Sequence, residues 1–419
     1  MRQKQKAILV GVNLNNQQDF TNSMKELSNL AEACEIEVVG EKSQNLNSVI
    51  KAYYIGKGKL QEVLALIQEK KADMVIFNDE LSPSQIRNLE ATLKCKVIDR
   101  TVLILDIFAQ RARTREAQLQ VEVAKLQYML PRLIGSGESL GRQGGGAGLK
   151  NRGSGETKLE LDRRKIEERI SSLNKELEIL VAQRQNQRKR RKKKEIPVIA
   201  LVGYTNTGKS TIMNVMLDLF NPTSEKQVFE KNMLFATLET SVRSIELPDN
   251  KTFLLTDTVG FISKLPHHLV KAFRSTLEEV AEADLLIHVV DYSNPFYKEQ
   301  IEVTKETLKE LGADNIPVIY AYNKTDLAEV EIPKGAEDNV YLSAKRKTGI
   351  DDLVGAIREK AFAHYVCCEM LIPYDKGKVV SYFNDNATIK STVYESNGVL
   401  ISMECKEADY ERYHQYCLV

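Results

Sequence analysis

Eight residues constrain this chain more than any others: Gly203-Tyr204-Thr205-Asn206-Thr207-Gly208-Lys209-Ser210, which fit the pattern G-x-x-x-x-G-K-[ST]. The flanks suit it. Pro197–Val202 reads as a short buried strand, and Ser210–Leu217 as a helix. In a turn of this kind successive backbone N–H groups converge on phosphate oxygens, and the helix N-terminus adds favourable charge. Gly203 and Gly208 permit backbone angles and a close approach that a Cβ would obstruct. Lys209 is expected to reach the β- and γ-phosphates, the Ser210 hydroxyl to ligate Mg²⁺, and Thr211 to complete the loop's contact set. A chance Gly-Lys-Ser turn is the competing reading, and the downstream sequence argues against it.

Four further stretches follow in order, three of them at the ends of expected strands. Leu234–Thr240 holds a threonine suited to complete the Mg²⁺ shell and sense the γ-phosphate; Thr237 is the expected residue, ahead of Thr240. In Phe253–Gly260, Asp257-Thr258-Val259-Gly260 follows the strand–Asp-x-x-Gly pattern, with Asp257 holding the metal and the Gly260 N–H meeting the γ-phosphate. Asn323-Lys324-Thr325-Asp326 follows the strand Val318–Tyr322. The Asp326 carboxylate can accept from guanine N1–H and the exocyclic amine, donors that adenine does not present in that arrangement. The Lys324 stem covers the base plane and Asn323 braces the loop. Ser343-Ala344-Lys345 places the Ala344 N–H for guanine O6. Together these predict a GTP/GDP site with Mg²⁺ on Ser210, Thr237 and Asp257, and hydrolysis resting on Lys209, Thr237, Gly260 and Asn206. Two readings of Asn206 stand side by side, a K⁺ ligand and a loop brace. Phe261 occupies the place where Ras-type enzymes put a water-orienting glutamine, so hydrolysis is expected to be slow or to need a partner. His267 and His268 read as surface residues.

Upstream, Ala7–Val12, Glu37–Gly40, Asp73–Phe77 and Lys96–Ile98 read as strands alternating with helices, which predicts a small parallel α/β domain over residues 1–100. Gly56-Lys57-Gly58 reads as a tight turn before a helix, with a second nucleotide contact as the weaker option. Residues 101–195 change character. Leu119, Val123, Leu126 and Leu130, and later Ile166, Ile170, Leu173, Leu177 and Leu180, form heptad-like stripes that predict an antiparallel helical hairpin. Between them Gly135–Glu156 carries nine glycines with Arg142, Lys150 and Arg152 interspersed. Such a segment has little to bury and a high ordering entropy; a probe that orders on RNA and a plain linker fit it equally. Arg184–Lys194 reads as a solvated basic linker, able to meet RNA phosphates. The nucleotide domain is expected over 196–365, and a small α+β module, with a hairpin turn at Ser396-Asn397-Gly398, over 366–419.

Net charge is +1, so nucleic-acid affinity has to come from local patches. The six cysteines show no C-x-x-C spacing and read as buried free thiols of a reducing compartment. No run approaches the ~18 apolar residues of a membrane helix. A cytoplasmic monomer with no DNA partner and no stable membrane insertion is expected. The fold class expected is multidomain α/β: a P-loop GTPase domain preceded by a small α/β domain with a long helical hairpin, plus the α+β module.

Residues 54–360 resemble the HflX-type family of ribosome-associated GTPases, of the Obg-HflX superfamily. The resemblance is carried by Asp99-Arg100-Thr101, Ile107–Ala112, Arg142–Gly146, Gly153–Glu160, Asp162-Arg163-Arg164, Phe261-Ile262 and Phe273–Glu279. Family members usually have prolines where this chain has Ser154 and, near Thr240, none. The resemblance implies binding to the large ribosomal subunit and its rRNA, with the helical arm and glycine loop turned toward the peptidyl-transferase region. It also implies a role in separating or rescuing stalled ribosomes under stress. A nucleotide-dependent RNA-remodelling protein and a GTP-switched signalling scaffold are the alternatives.

Overall fold

A computed structural model describes residues 4–15, 19–133, 152–192, 196–221, 235, 240–264, 279–328 and 338–418; side chains of the second arm helix are described over 160–184. The chain forms two compact units. One comprises Met1–Gln187 with Asn232–Glu239 and Ile262–Ser275; the other comprises Arg188–Lys231, Thr240–Phe261 and Thr276–Val419.

The first unit is built on a four-stranded parallel sheet of order β2-β1-β3-β4, with β1 Lys6–Leu14, β2 Glu37–Leu46, β3 Met74–Phe77 and β4 Lys96–Asp99. β1 alternates its faces. Ile8, Val10 and Val12 join Leu60, Val63 and Ile67 of α2 (Lys57–Lys70) and Leu89 and Leu93 of α3 (Pro83–Leu93) in one core. On the opposite face α1 (Phe20–Ala33) lies so close that a Cβ on Gly11 would come within 2.4 Å of Met24 Sδ. Covering both faces with helices is what an all-parallel sheet requires. Ser82 and Gln85 form a reciprocal capping box with Pro83 in the first turn, the start expected for that helix. Gly56 is the extended residue that precedes α2, and its amide donates to Gln44 Oε1 at 2.9 Å; Lys57 and Gly58 already belong to the helix, which corrects the expectation of a tight turn over Gly56–Gly58.

Asp99, fully buried, ends β4 and caps α4 (Arg100–Arg111): its Oδ1 accepts from the Val102 N–H at 3.1 Å and its Oδ2 from the Leu81 N–H at 3.0 Å and the Tyr128 hydroxyl. Tyr128 lies on α5 (Arg115–Leu133), the first arm helix; the second is α6 (Arg152–Lys192). Leu119, Val123 and Leu173 form the seam, with Leu126, Ile170, Leu177 and Leu180 against it. Arg115 pairs with Glu176 and Glu122 with Arg169, so a step of seven residues forward on α5 is seven back on α6; the helices run antiparallel. The glycine-rich stretch 134–151 lies outside the described residues, while Arg152–Glu156 opens α6. The basic run is helical as far as Lys192.

The second unit holds a six-stranded sheet of order β10-β9-β8-β5-β7-β6: β5 Val198–Val202, β6 Ser241–Glu246, β7 Thr252–Asp257, β8 Leu285–Asp291, β9 Val318–Asn323 and β10 Asn339–Tyr341. All pairs are parallel except β6 with β7. β5 is central, with β7 on one side and β8 on the other, and the crevice beyond its carboxyl end is a topological switch point. α7 (Lys209–Phe220) and α9 (Ile350–Ala361) share one core with these strands through Ile212, Met216, Leu353 and Ile357, and α8 (Tyr297–Glu310) follows β8. Residues 365–418 add an antiparallel sheet of order β11-β13-β12 (Tyr365–Ile372, Gly398–Lys406, Thr388–Glu395) with α10 (Gly377–Asn386) and α11 (Glu407–Arg412). Its core is Met370, Ile372, Phe383, Ile401, Met403 and Cys405. This module grips the β6–β7 turn: Lys251, 5% exposed, pairs with Glu404 at 2.9 Å, and Asn250 Nδ2 donates to Ala387 O at 3.3 Å. All six cysteines are free; Cys405 is buried, four are half-buried and Cys367 is exposed, which corrects the expectation that all six would be buried.

Candidate functional site

The carboxyl ends of β5, β7, β8 and β9 bring most of the sequence-predicted residues together. Leaving β5, Gly203 adopts φ +140°, and a Cβ there would lie 2.3 Å from the Val289 carbonyl oxygen. Gly208 has φ +98°, and its Cβ would lie 2.2 Å from Asn323 Nδ2. Neither position admits another residue without rebuilding the loop. Between them Asn206 is exposed and left-handed at φ +61°, at the crest of the turn. Thr207 Oγ1 donates to the Tyr204 carbonyl at 3.0 Å.

Lys209 opens α7 with its ammonium folded into the loop, donating to the carbonyls of Gly203 at 3.0 Å and Tyr204 at 2.7 Å. Burial pulls its pKa down to about 8, helped by Lys324 and opposed by Asp257. Ser210 Oγ donates to Asp257 Oδ2 at 2.7 Å, so two of the three expected Mg²⁺ ligands already share one hydrogen bond; Thr211 follows on the helix. Thr237 lies outside the described residues, as do His267 and His268. An alcohol and one carboxylate, all oxygen, suit Mg²⁺, which takes the rest of its shell from water and substrate phosphates. Among the described residues no group of three His, Cys, Asp or Glu side chains forms a metal cage.

Past Asp257, Thr258 Oγ1 donates to the Leu201 carbonyl at 2.6 Å, and Val259 is buried. A Cβ on Gly260 would lie 2.7 Å from Thr205 Cα and 3.0 Å from Lys209 Nζ, so this segment is moulded against the phosphate loop. Phe261 is bonded there both ways: its N–H donates to Gly203 O at 3.1 Å, and its carbonyl accepts from the Thr205 N–H at 2.7 Å. In the sequence Phe261 stands out as the missing glutamine and as part of the family resemblance; its backbone role has no side-chain signature.

Asn323, 2% exposed, joins three loops. Its Nδ2 donates to Thr207 O at 2.8 Å, and its Oδ1 accepts from the Ala344 N–H at 3.0 Å. Lys324 is left-handed at φ +66° and its ammonium pairs with Asp291 at 2.7 Å. Asp291 was missed in the sequence, although its place at the carboxyl end of β8 was a usable signal. The Thr325 N–H donates to Leu342 O at 3.3 Å. Asp326 Oδ1 accepts from the Ser343 hydroxyl at 2.6 Å, and that hydrogen bond holds the carboxyl below its ordinary range. Arg346 approaches the other oxygen at 3.6 Å, and Lys345 lies beside it, exposed.

A glycine-rich phosphate turn, an oxygen pair for Mg²⁺ and a fixed carboxylate at the base loop define a P-loop nucleotide-binding protein of the GTPase class. Comparison with known proteins agrees. Residues 21–109 match the family described as GTP-binding GTPase N-terminal, 111–191 the GTP-binding GTPase Middle Region, and 198–324 the 50S ribosome-binding GTPase family. The chain is 46% identical over 403 residues to GTPase HflX of Caldanaerobacter subterraneus subsp. tengcongensis, covering 96% of this chain and 91% of that one. It is 38% identical to GTPase HflX of Escherichia coli, covering 97% and 95%. A GTP-binding protein of Sulfolobus solfataricus, solved in complex with GDP, aligns over 86% of this chain and 99% of its own with TM-score 0.44 and 25% identity. The chain belongs to the HflX family of GTPases. Among the described residues no helix is long and apolar enough to cross a membrane.

Proposed function

We propose that this chain is a GTP-driven switch of the ribosome: it binds GTP with Mg²⁺, hydrolyses it to GDP and phosphate, and docks on the large subunit in the GTP state. One observation carries the nucleotide half. Asn323 ties the phosphate loop, the base loop and the Ser343–Lys345 loop into one preorganised pocket. Asp326, oriented by Ser343, then accepts from guanine, while Lys324, fixed by Asp291, covers the ring. Lys209 meets the β- and γ-phosphates, whose charge restores the ammonium that burial disfavours. Ser210 and Asp257, with Thr237, are the residues that would hold Mg²⁺, and the ion would supply charge neutralisation at the phosphates. The Gly260 N–H marks the γ-phosphate. No glutamine follows it, so the attacking water lacks a side-chain guide and turnover on the free protein is slow. In this reading Asn206, exposed and left-handed at the crest of the phosphate loop, serves as a K⁺ ligand or as a brace of the loop.

The ribosomal half rests on family membership and on the arm. The antiparallel helices α5 and α6 carry a basic, glycine-rich stretch between them, suited to rRNA phosphates. In this reading the GTP state seats the arm on the large subunit, in the service of splitting or rescuing stalled ribosomes, and hydrolysis releases it. Sedimentation with purified subunits tests it. Co-migration with the large subunit in a GTP analogue but not in GDP is expected. Equal binding to free RNA would point to an off-ribosome RNA remodeller, and no RNA binding to a signalling scaffold.

A further inference from the structure

Asp99-Arg100-Thr101 is a sequence signature that the nucleotide pocket does not use. Arg100 is 2% exposed, an unusual place for a guanidinium. Its Nη1 donates to Asn78 Oδ1 at 3.1 Å and to the Ser23 carbonyl at 3.5 Å. Its Nη2 pairs with Glu26 and donates to the carbonyl of Ser263 at 3.0 Å and to Ser263 Oγ at 3.1 Å. The Ser263 hydroxyl donates in turn to the same Glu26 carboxylate. The next residue, Lys264, left-handed at φ +53°, pairs with Asp79 at 2.6 Å, and Asp79 accepts from the Tyr54 hydroxyl. All of these contacts lie inside the first compact unit, to which residues 262–275 belong.

Two residues earlier the chain is held differently. Phe261 belongs to the second unit and is bonded in both directions to the phosphate loop. Only Ile262, 2% exposed, separates the two anchorages. Two residues of fully extended chain span about 7 Å, so a shift of Gly260–Phe261 cannot be absorbed by slack. It must break the Ser263 contacts or move the segments that make them. A buried Arg–Glu pair is costly to desolvate and survives where its remaining donors are matched. Here Nη1 is matched by Asn78 at the end of β3 and by Ser23 of α1, whereas Nη2 is given to Glu26 and to a carbonyl 163 residues away, and Nε has no hydrogen-bond partner among the described residues.

We propose that Arg100, with Glu26 and Asp79, is a clasp on Ser263–Lys264 through which the N-terminal α/β domain positions the segment after Gly260 and reads its nucleotide state. The idea deepens the GTP-switch reading and rests on it. Arg100 is a positioning residue: it acts through Ser263, not on the nucleotide. Charge and planarity both matter, because a lysine cannot reach Glu26, Asn78 and the Ser263 carbonyl with one fork of donors.

The test uses the full-length chain and its Ser263→Ala, Lys264→Ala and Arg100→Lys variants, with single-turnover GTP hydrolysis, GDP affinity, and hydrogen exchange in GDP and in a non-hydrolysable analogue. The clasp predicts a fall in kcat of about fivefold or more with KM and GDP affinity within about twofold. It also predicts that peptides containing Glu26, Asp79 and Arg100 exchange differently in the two nucleotides in the wild type and alike in the variants. Ser263→Ala and Lys264→Ala keep the test open should Arg100→Lys fail to fold. An unchanged or raised kcat in these two variants, with exchange still nucleotide-dependent, overturns the clasp. So does a wild type that distinguishes the nucleotides at phosphate-loop peptides but not at the N-terminal ones. A wild type that distinguishes them nowhere removes the switch reading and the clasp together.

Discussion

Replacing Asn323 with alanine removes the pin between three loops, and its cost follows from the contacts. The side chain is 2% exposed, and its partners Thr207 and Ala344 are each 1% exposed. The substitution strips the Thr207 carbonyl of a 2.8 Å donor and the Ala344 N–H of a 3.0 Å acceptor. A buried group left unsatisfied costs about 1–3 kcal/mol, so the two together cost about 2–6 kcal/mol. At the lower end, if the loss is felt in the nucleotide-bound arrangement of the loops, GDP affinity falls about 30-fold. Calorimetric titration with GDP measures this, and urea unfolding of the free protein separates lost affinity from lost stability. Asn323→Asp sharpens the assay. It keeps an acceptor for the Ala344 N–H but sets a carboxylate oxygen against the Thr207 carbonyl, so at pH 8 it should bind no better than the alanine variant. If Asn323→Ala binds GDP within about threefold of the wild type, the pin is not what organises the pocket.

Asp326→Asn should cost about a hundredfold in GDP affinity, the worth of a charge-assisted pair of hydrogen bonds, with little loss for xanthosine diphosphate; competition titrations decide. Nucleotide affinity should also fall with alkali. Lys209 titrates at about 8 in the free protein, and phosphate raises that value, so binding takes up a proton above pH 8. Affinity then drops by up to about tenfold per pH unit from there, and a flat profile between pH 8 and 10 would count against it. His288 is held neutral: burial, then Lys209 and Lys305, bring its pKa down to about 3. A His pKa lower in the folded than in the unfolded chain gives stability that is complete above about 6.5 and lost as pH falls toward 3. The stability difference between wild type and His288→Gln, followed by urea unfolding, should therefore change by up to about 1.4 kcal/mol per pH unit across that window.

What the sequence disclosed was what local chemistry dictates. Gly203 and Gly208 stand where no Cβ fits, and the motifs at the ends of β7 and β9 sit at fixed offsets from their strands, so spacing alone located them. The arm stripes were legible because a 3.5-residue repeat is written in the leucines that meet at its seam. Contacts between distant segments were not. Arg100 and Ser263 are 163 residues apart, and nothing near either one names the other. The Lys324–Asp291 pair is hidden in the same way. The basic run after Arg184 shows a different limit: like charge argued for a solvated linker, yet arginine and lysine are good helix formers, and the helix continues through Lys192. The first strand of the carboxyl-terminal sheet, Tyr365–Ile372, was not legible because Tyr-Val-Cys-Cys-Glu-Met-Leu-Ile lacks a clean two-residue alternation and no turn signal precedes it.

The grip of the last module on the β6–β7 turn has a practical side. Lys251 is a nearly inaccessible cation whose acidic counterpart, Glu404, is contributed by the final strand, and its other neighbours are the rings of Phe362 and Tyr365. Trimming the chain at the seemingly natural break near residue 365 would leave that ammonium stranded against aromatic rings, at the root of the two strands that run to Thr240 and Asp257. A shortened enzyme is thus a poor stand-in for the whole, and weak nucleotide handling by such a fragment would report on a missing counterion rather than on the chemistry of phosphate release.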